Sequence, residues 1–197
     1  MLHDRKAATG FIFITVLLDG IGFGVIIPGF PKMIAHLTHG TMSTVSQWGG
    51  MLAFAYAIMQ FVCAPILGNL SDQYGRRPVL LFSLLGFGID YLFMAFAPTI
   101  GWLFLGRIFS GAAGSSITTA SAYMADISTD KNRAQNFGLI GAAFGIGLII
   151  GPVMGGVLGQ YGTRIPFIVS ACLAFMNASY GYFVLPVYLT KDHWWMF

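Results

Sequence analysis

Apolar segments of about 20 residues recur six times along this chain, and no other feature constrains its fold as strongly. Each segment is long enough to cross the hydrocarbon core of a bilayer as an α-helix. Only 9% of the 197 residues are charged and 56% are hydrophobic, whereas soluble domains carry about 25% charged residues. The composition therefore excludes a soluble enzyme or a nucleic-acid-binding protein and indicates an integral membrane protein in contact with lipid.

The apolar segments predict an all-α bundle of six transmembrane helices joined by short connections that carry the charged and turn residues. The predicted spans are residues 10–30, 47–68, 78–97, 100–123, 136–158 and 165–187. No connection is long enough for a soluble domain. We therefore predict a single six-helix transmembrane unit over residues 1–187, followed by a short aromatic tail over residues 188–197.

The basic residues predict how this bundle is oriented. An even number of spans places both termini on one side of the membrane. That side would hold seven basic residues, namely Arg5, Lys6, Arg76, Arg77, Lys131, Arg133 and Lys191, and the other side would hold only Lys32 and Arg164. Because short cytoplasmic loops carry the excess of lysine and arginine, we predict that both termini are cytoplasmic.

Three charged residues fall inside predicted spans, where an ionised side chain costs a few kcal/mol. Asp19 and Asp90 lie near the middle of the first and third spans, and Arg107 lies within the fourth. We predict that the two acids face a polar cavity, where they exchange protons or meet a cationic ligand; the alternative is a protonated packing role. Arg107 must reach water or pair with an acid, and both aspartates remain candidates.

Other candidate residues lie near the cytoplasmic side. Asp126 lies at the cytoplasmic end of the fourth helix, where it either pairs with Arg76, Arg77 or Arg133 or is a solvated helix-end acid. Glycines recur every four positions along the fifth span, a spacing that allows close helix packing. No Cys/His cluster with metal-ligand spacing, P-loop lysine or nucleophile elbow is present. We therefore predict no catalytic residue, no metal and no cofactor.

Three sequence patterns, in order, resemble signatures of the major facilitator superfamily. The second connection reads Gly68-Asn69-Leu70-Ser71-Asp72-Gln73-Tyr74-Gly75-Arg76-Arg77-Pro78, which resembles the loop 2–3 signature. Gly106-Arg107 resembles the helix 4 signature. The glycine-rich helix 5 motif of drug/proton antiporters is matched by Gly147, Gly151, Pro152, Gly155 and Gly156.

Further patterns are similar to the tetracycline efflux branch of this family, including Leu18-Asp19-Gly20 and Asp90-Tyr91. The resemblance implies an N-terminal six-helix half of a multi-pass transporter in a bacterial inner membrane. It implies that Asp19, Asp90 and Arg107 lie on the proton and substrate pathway. It implies a cytoplasmic gate formed by Gly68, Ser71, Asp72, Gly75, Arg76, Arg77 and Asp126. The implied activity is export of a small cationic drug, a metal–tetracycline complex, in exchange for protons.

The chain departs from this family by carrying one six-helix half, and half of a rocking transporter cannot alternate by itself. One hypothesis is that it transports after pairing with a second half, either another copy or a separate chain. The alternative is a non-transporting accessory subunit of a larger membrane complex. A fragment of a longer transporter is a third possibility, although the tail ending Trp194-Trp195-Met196-Phe197 is more typical of an ending than of a basic linker.

Overall fold

The computed structural model describes residues 2–114 and 116–184, with side chains described from residue 8 to residue 183 within those ranges. These residues form helices and short connections, without a strand. The helices are α1 (Leu2–Thr38), α2 (Met42–Tyr74), α3 (Arg76–Phe96), α4 (Ile100–Ala113), α5 (Ser116–Ile127), α6 (Arg133–Leu158) and α7 (Ile165–Val184). The predicted aromatic tail lies outside the described residues.

The all-helical membrane fold is confirmed, with one correction to the predicted spans. Five helices, α1, α2, α3, α6 and α7, are individually long and apolar enough to cross a membrane. The prediction of one continuous helix over residues 100–123 is wrong, because two shorter helices, α4 and α5, replace it. We infer that α4 and α5 make the remaining crossing together.

The interruption between α4 and α5 follows from the small residues around Gly114. The Gly114 amide bonds to the Gly111 carbonyl at 3.3 Å, a short-range turn that ends α4. The Gly114 carbonyl accepts a hydrogen bond from Gln60 Nε2 of α2 at 2.9 Å. A broken helix is tolerated at membrane depth when another side chain satisfies the freed backbone group, and Gln60 supplies that bond.

The first two helices are longer than the sequence predicts. The first span was predicted to end near residue 30, yet α1 continues to Thr38 with both Pro28 and Pro31 inside it. Proline is tolerated within packed membrane helices because neighbouring groups compensate for the lost hydrogen bond. Prolines are therefore unreliable end signals in this chain.

The described residues form two apolar clusters. One gathers Phe11, Ile12 and Leu84 with residues of α5, α6 and α7. The other gathers Met33, Leu52 and Leu103 with residues of α3 and α7. Along α1, Asp19 lies between the residues contributed to the two clusters, so this acid sits at an intermediate depth with apolar packing on both sides.

Glycines bring α1 and α6 into backbone contact, the most extensive helix pairing in the described structure. A Cβ atom built on Gly147 would lie 2.5 Å from the Leu17 carbonyl oxygen, and one on Gly151 would lie 2.6 Å from the Gly24 Cα. A Cβ atom built on Gly155 would lie 3.2 Å from Pro28 Cγ. A Cβ atom built on Gly156 would meet no described atom within 4 Å. Three glycines of the predicted motif therefore form the contact and Gly156 does not.

Replacing Gly151 with leucine should destabilise the bundle by at least about 1–3 kcal/mol, the usual cost of overpacking. The same substitution at Gly156 is the matched control, since it adds the same side chain to the same helix in open space. Thermal unfolding of both variants in one detergent measures the difference. Equal loss of stability in the two variants would show that α1 and α6 do not approach each other through this glycine stripe.

Candidate functional site

Asp90 and Arg107 form a buried ion pair between α3 and α4 through Asp90 Oδ2 and Arg107 Nη2. The two side chains are 1% and 8% exposed. Their positions explain the pairing: α3 and α4 are antiparallel neighbours joined at residues 97–99, and each residue lies a similar distance from that turn. Arg107 therefore pairs with Asp90 in this structure and not with Asp19, the other candidate predicted from the sequence.

Aromatic rings and a thioether surround the Arg107 guanidinium. Its Cζ lies 5.4 Å from the ring centroids of both Phe30 of α1 and Tyr56 of α2. Met94 Sδ accepts a hydrogen bond of 3.8 Å from Arg107 Nη2. Such rings stabilise a cation most strongly where it is desolvated. Arg107 thereby links four helices, α1 to α4, at one point inside the bundle.

This ion pair retains unused hydrogen-bonding capacity. Within the described residues, Asp90 Oδ1 and Arg107 Nε are buried without a hydrogen-bond partner. Buried polar groups are normally paired, so each unsatisfied atom needs an explanation. Asp90 Oδ1 can accept a hydrogen bond or a proton, and Arg107 Nε can donate a hydrogen bond to water or to a polar ligand, without separation of the existing pair.

Asp19 has a different environment. It is 8% exposed, and its Oδ2 accepts a hydrogen bond of 2.5 Å from Ser116 Oγ at the start of α5. Among the ion pairs recorded for the described residues, none includes Asp19. The side chain is thus a buried acid with a hydroxyl donor but no neutralising cation. Its charge must be compensated by a proton or by a positively charged ligand.

A second group of polar side chains lies where α2 and α5 end and α3 begins. Arg76 forms ion pairs with Asp72 and with Asp126, the latter at 3.1 Å from Nε to Oδ2. Arg76 Nη1 also donates to Ser71 Oγ at 3.2 Å. The Asp72 and Asp126 side chains are 57% and 52% exposed. Arg76 therefore joins three helix ends, and both acids remain accessible to another surface.

The other predicted gate residues have backbone or separate roles in the described structure. Gly75 has φ +93°, a conformation that strains any residue with a Cβ, and it forms the turn between α2 and α3. Arg77 does not join the Asp126 network. Instead it donates to the Tyr182 carbonyl near the end of α7, and its Cζ lies 5.4 Å from the Tyr182 ring. A Cβ atom built on Gly68 would meet no described atom within 4 Å.

The structure thus separates the predicted site residues into the Asp90–Arg107 pair, Asp19, the Arg76 network and the α1–α6 glycine contact. Three residues that contact the buried charges were not predicted from the sequence, namely Ser116, Tyr56 and Phe30. Tyr56 gave a weak signal, because it places a hydroxyl inside an apolar helix. Ser116 gave none, since it belongs to a run of small residues.

A sequence profile of the Major Facilitator Superfamily matches residues 12–193, which is most of the chain. The chain belongs to this superfamily. The family prediction is therefore confirmed, and the superfamily is one of membrane transporters.

Several similar members of the superfamily are bacterial resistance proteins. Tetracycline resistance protein class C of Escherichia coli is 46% identical over 171 residues, covering 87% of this chain and 43% of that protein. The class H protein of Pasteurella multocida is also 46% identical, over 160 residues, covering 81% of this chain and 40% of its own. Multidrug resistance protein 2 of Bacillus subtilis (strain 168) is 31% identical over 187 residues. The chain spans about two fifths of the tetracycline resistance proteins that it matches.

A solved structure shares the fold of this chain. The crystal structure of the human organic anion transporter TETRAN superposes with a TM-score of 0.79 at 22% identity. The superposition covers 92% of this chain and 48% of that transporter. The described helices therefore have the arrangement found in about half of that larger protein.

Proposed function

We propose that this chain is one six-helix half of a proton-coupled exporter of cationic drugs of the tetracycline class. It would act in a bacterial inner membrane, with both termini cytoplasmic, once a second six-helix half packs against it. The names of the similar bacterial proteins support the substrate class. The observation that carries the proposal is the buried Asp19, which accepts a hydrogen bond from Ser116 but has no cationic partner among the described residues.

Buried acids of this kind provide a simple physical basis for exchange. An ionised carboxylate inside a membrane is costly, so Asp19 is favoured only when a proton or a cation compensates its charge. A bound drug cation and a bound proton therefore compete for the same acid. Arg107 already compensates Asp90, and a change in the separation of that pair would alter the field at the site. This competition is the coupling that we assign to the pathway residues.

Two helices offer surface to a second half. In α2 and α6 only 11% and 22% of the most apolar stretch is buried inside the bundle, compared with 56% in α1 and 61% in α3. A groove between α2 and α4 is lined by apolar residues that include Met51, Phe54, Ile58 and Ile108. Lipid covers such a surface in a lone bundle. We propose that the second half covers part of it and forms the other wall of the drug pathway.

The Arg76 network is proposed to act as a cytoplasmic latch. Asp126→Asn should change stability by no more than about 1 kcal/mol, because exposed ion pairs contribute little. The same variant should nevertheless impair transport by the assembled exporter, since it removes the charge attraction between Arg76 and α5. Asp130→Asn, in the exposed connection after α5, is the control for removal of a nearby charge. Normal transport by Asp126→Asn would contradict the latch.

Native mass measurement in a mild detergent tests the pairing. We expect the extracted chain in an assembly that contains two six-helix halves, either two copies or this chain with another. Identification of every component by mass distinguishes these arrangements. A lone chain would contradict self-pairing, and a stable complex with unrelated subunits would instead favour the accessory role.

A further inference from the structure

We propose a water-binding site between α1, α3 and α7, in which one bound water contacts Asp19. The site is a largely enclosed cavity of about 20 Å³. Its polar lining comprises Asp19, Tyr91, Ser170 and Asn177, and leucines and Phe87 complete the wall. A water molecule requires about 10–15 Å³ of such space, so the cavity accommodates one.

Two unsatisfied atoms point to the ligand. Ser170 Oγ and Asn177 Oδ1 are fully buried, and neither has a hydrogen-bond partner among the described residues. Both side chains belong to residues only 3% exposed, and both line this cavity. Leaving a polar atom buried and unpaired costs about 1–3 kcal/mol, which a bound water would relieve. Neither residue belongs to the proposed gate or ion pair.

The orientation of Asn177 defines what the cavity can bind. Its Nδ2 donates to Thr15 Oγ1 at 3.1 Å, which leaves the amide oxygen as an acceptor. The ionised Asp19 carboxylate is also an acceptor, whereas the Ser170 hydroxyl can donate. Water satisfies this set, because it can donate to Asn177 and Asp19 while it accepts from Ser170. Three hydrogen bonds are typical of a buried structural water.

The proposed water gives Asp19 a second polar neighbour. Ser116 contacts the carboxylate from α5, and the water would contact it from the α7 side. Solvation by two donors lowers the cost of burying the ionised acid. The site itself depends on geometry alone, and only its link to coupling rests on the proposed function.

X-ray radiolysis of the full chain in detergent tests the site, because bound water yields hydroxyl radicals that modify adjacent side chains. Tyr91 and Phe87 line the cavity but are only 6% and 9% exposed. We expect both to be labelled in the native chain, and severalfold less in Ser170→Val and Asn177→Leu, which remove the polar atoms and fill the space. Thr119→Val, a buried polar substitution outside the cavity lining, is the matched control. Labelling that is weak in the native chain, or equal in all variants, would overturn the site.

Infrared spectroscopy tests the contact with Asp19. The carboxyl band of Asp19 is isolated by subtraction of the Asp19→Asn spectrum. We expect this band to shift in Asn177→Leu and Ser170→Val and to stay in place in Thr119→Val. An unchanged band would contradict contact between the water and the acid. Neither readout requires transport, so failure of drug export would not affect this test, and loss of the site would not refute export.

Discussion

Replacement of Arg107 by leucine is expected to lower the free energy of unfolding by about 3–5 kcal/mol. The substitution leaves Asp90 buried without its partner, and loss of one member of a buried ion pair carries a cost of this size. It also removes the cation from between the Phe30 and Tyr56 rings. Reversible unfolding in mixed micelles measures the effect, with Arg133→Leu as the control for loss of an exposed arginine.

The double variant Asp90→Leu with Arg107→Met separates charge from packing. Buried ion pairs can often be replaced by apolar residues of similar volume at little cost. We therefore expect the double variant to recover most of the stability lost in Arg107→Leu. Stability of Arg107→Leu equal to that of Arg133→Leu would contradict the buried pair.

Replacement of Asp19 by asparagine is expected to reduce proton-coupled drug export to background while the chain remains folded. Asparagine has nearly the same volume and can still accept the hydrogen bond of Ser116, but it carries no charge and releases no proton. The variant therefore removes the acid with little change in packing. Export by membranes containing both halves is the measurement.

A matched control distinguishes the specific effect of removing Asp19 from the general effect of removing an acidic residue. Asp130→Asn makes the same substitution in an exposed connection and should leave export unchanged. Retention of the native stability by Asp19→Asn would show that the defect lies in transport. Export that persists in Asp19→Asn would remove this acid from the proposed coupling.

Hydrophobic run length predicted most of the fold in this chain, because a bilayer requires helices of about 20 apolar residues. The ends of the helices were harder to predict from the sequence. Pro31 is a typical stop signal, yet α1 passes through it to Thr38 because membrane helices tolerate proline. The carbonyl freed by the break at Gly114 is bonded by Gln60, a residue 54 positions away, and no local pattern reveals that hydrogen bond.

The pairing of the buried charges could be predicted only in part. Charge alone left Asp19 and Asp90 as equal candidates for Arg107. The short turn between α3 and α4 places Asp90 and Arg107 at similar depth, a consideration that favours the observed pair once the two helices are known to be adjacent. Position along the membrane normal could not exclude Asp19 as the partner of Arg107, because that pairing depends on how α1 and α4 pack.

Glycine spacing identified a packing surface but not which glycines form it. Gly151 and Gly156 belong to the same sequence motif, yet only Gly151 contacts α1. The five-residue offset turns them to different faces of α6. The cavity beside Asp19 could likewise not be predicted from the sequence. Ser170 and Asn177 lie far along the chain from Thr15 and meet α1 only after the bundle forms.

Tetracycline uptake into everted membrane vesicles tests the central claim most directly. The full chain would be expressed alone and together with the C-terminal remainder of the class C tetracycline resistance protein, and assembly of the halves would be verified by native mass. The account predicts accumulation driven by a proton gradient, abolished by a protonophore and absent from vesicles without this chain. Assembled halves that accumulate no more drug than vesicles lacking the chain would contradict it.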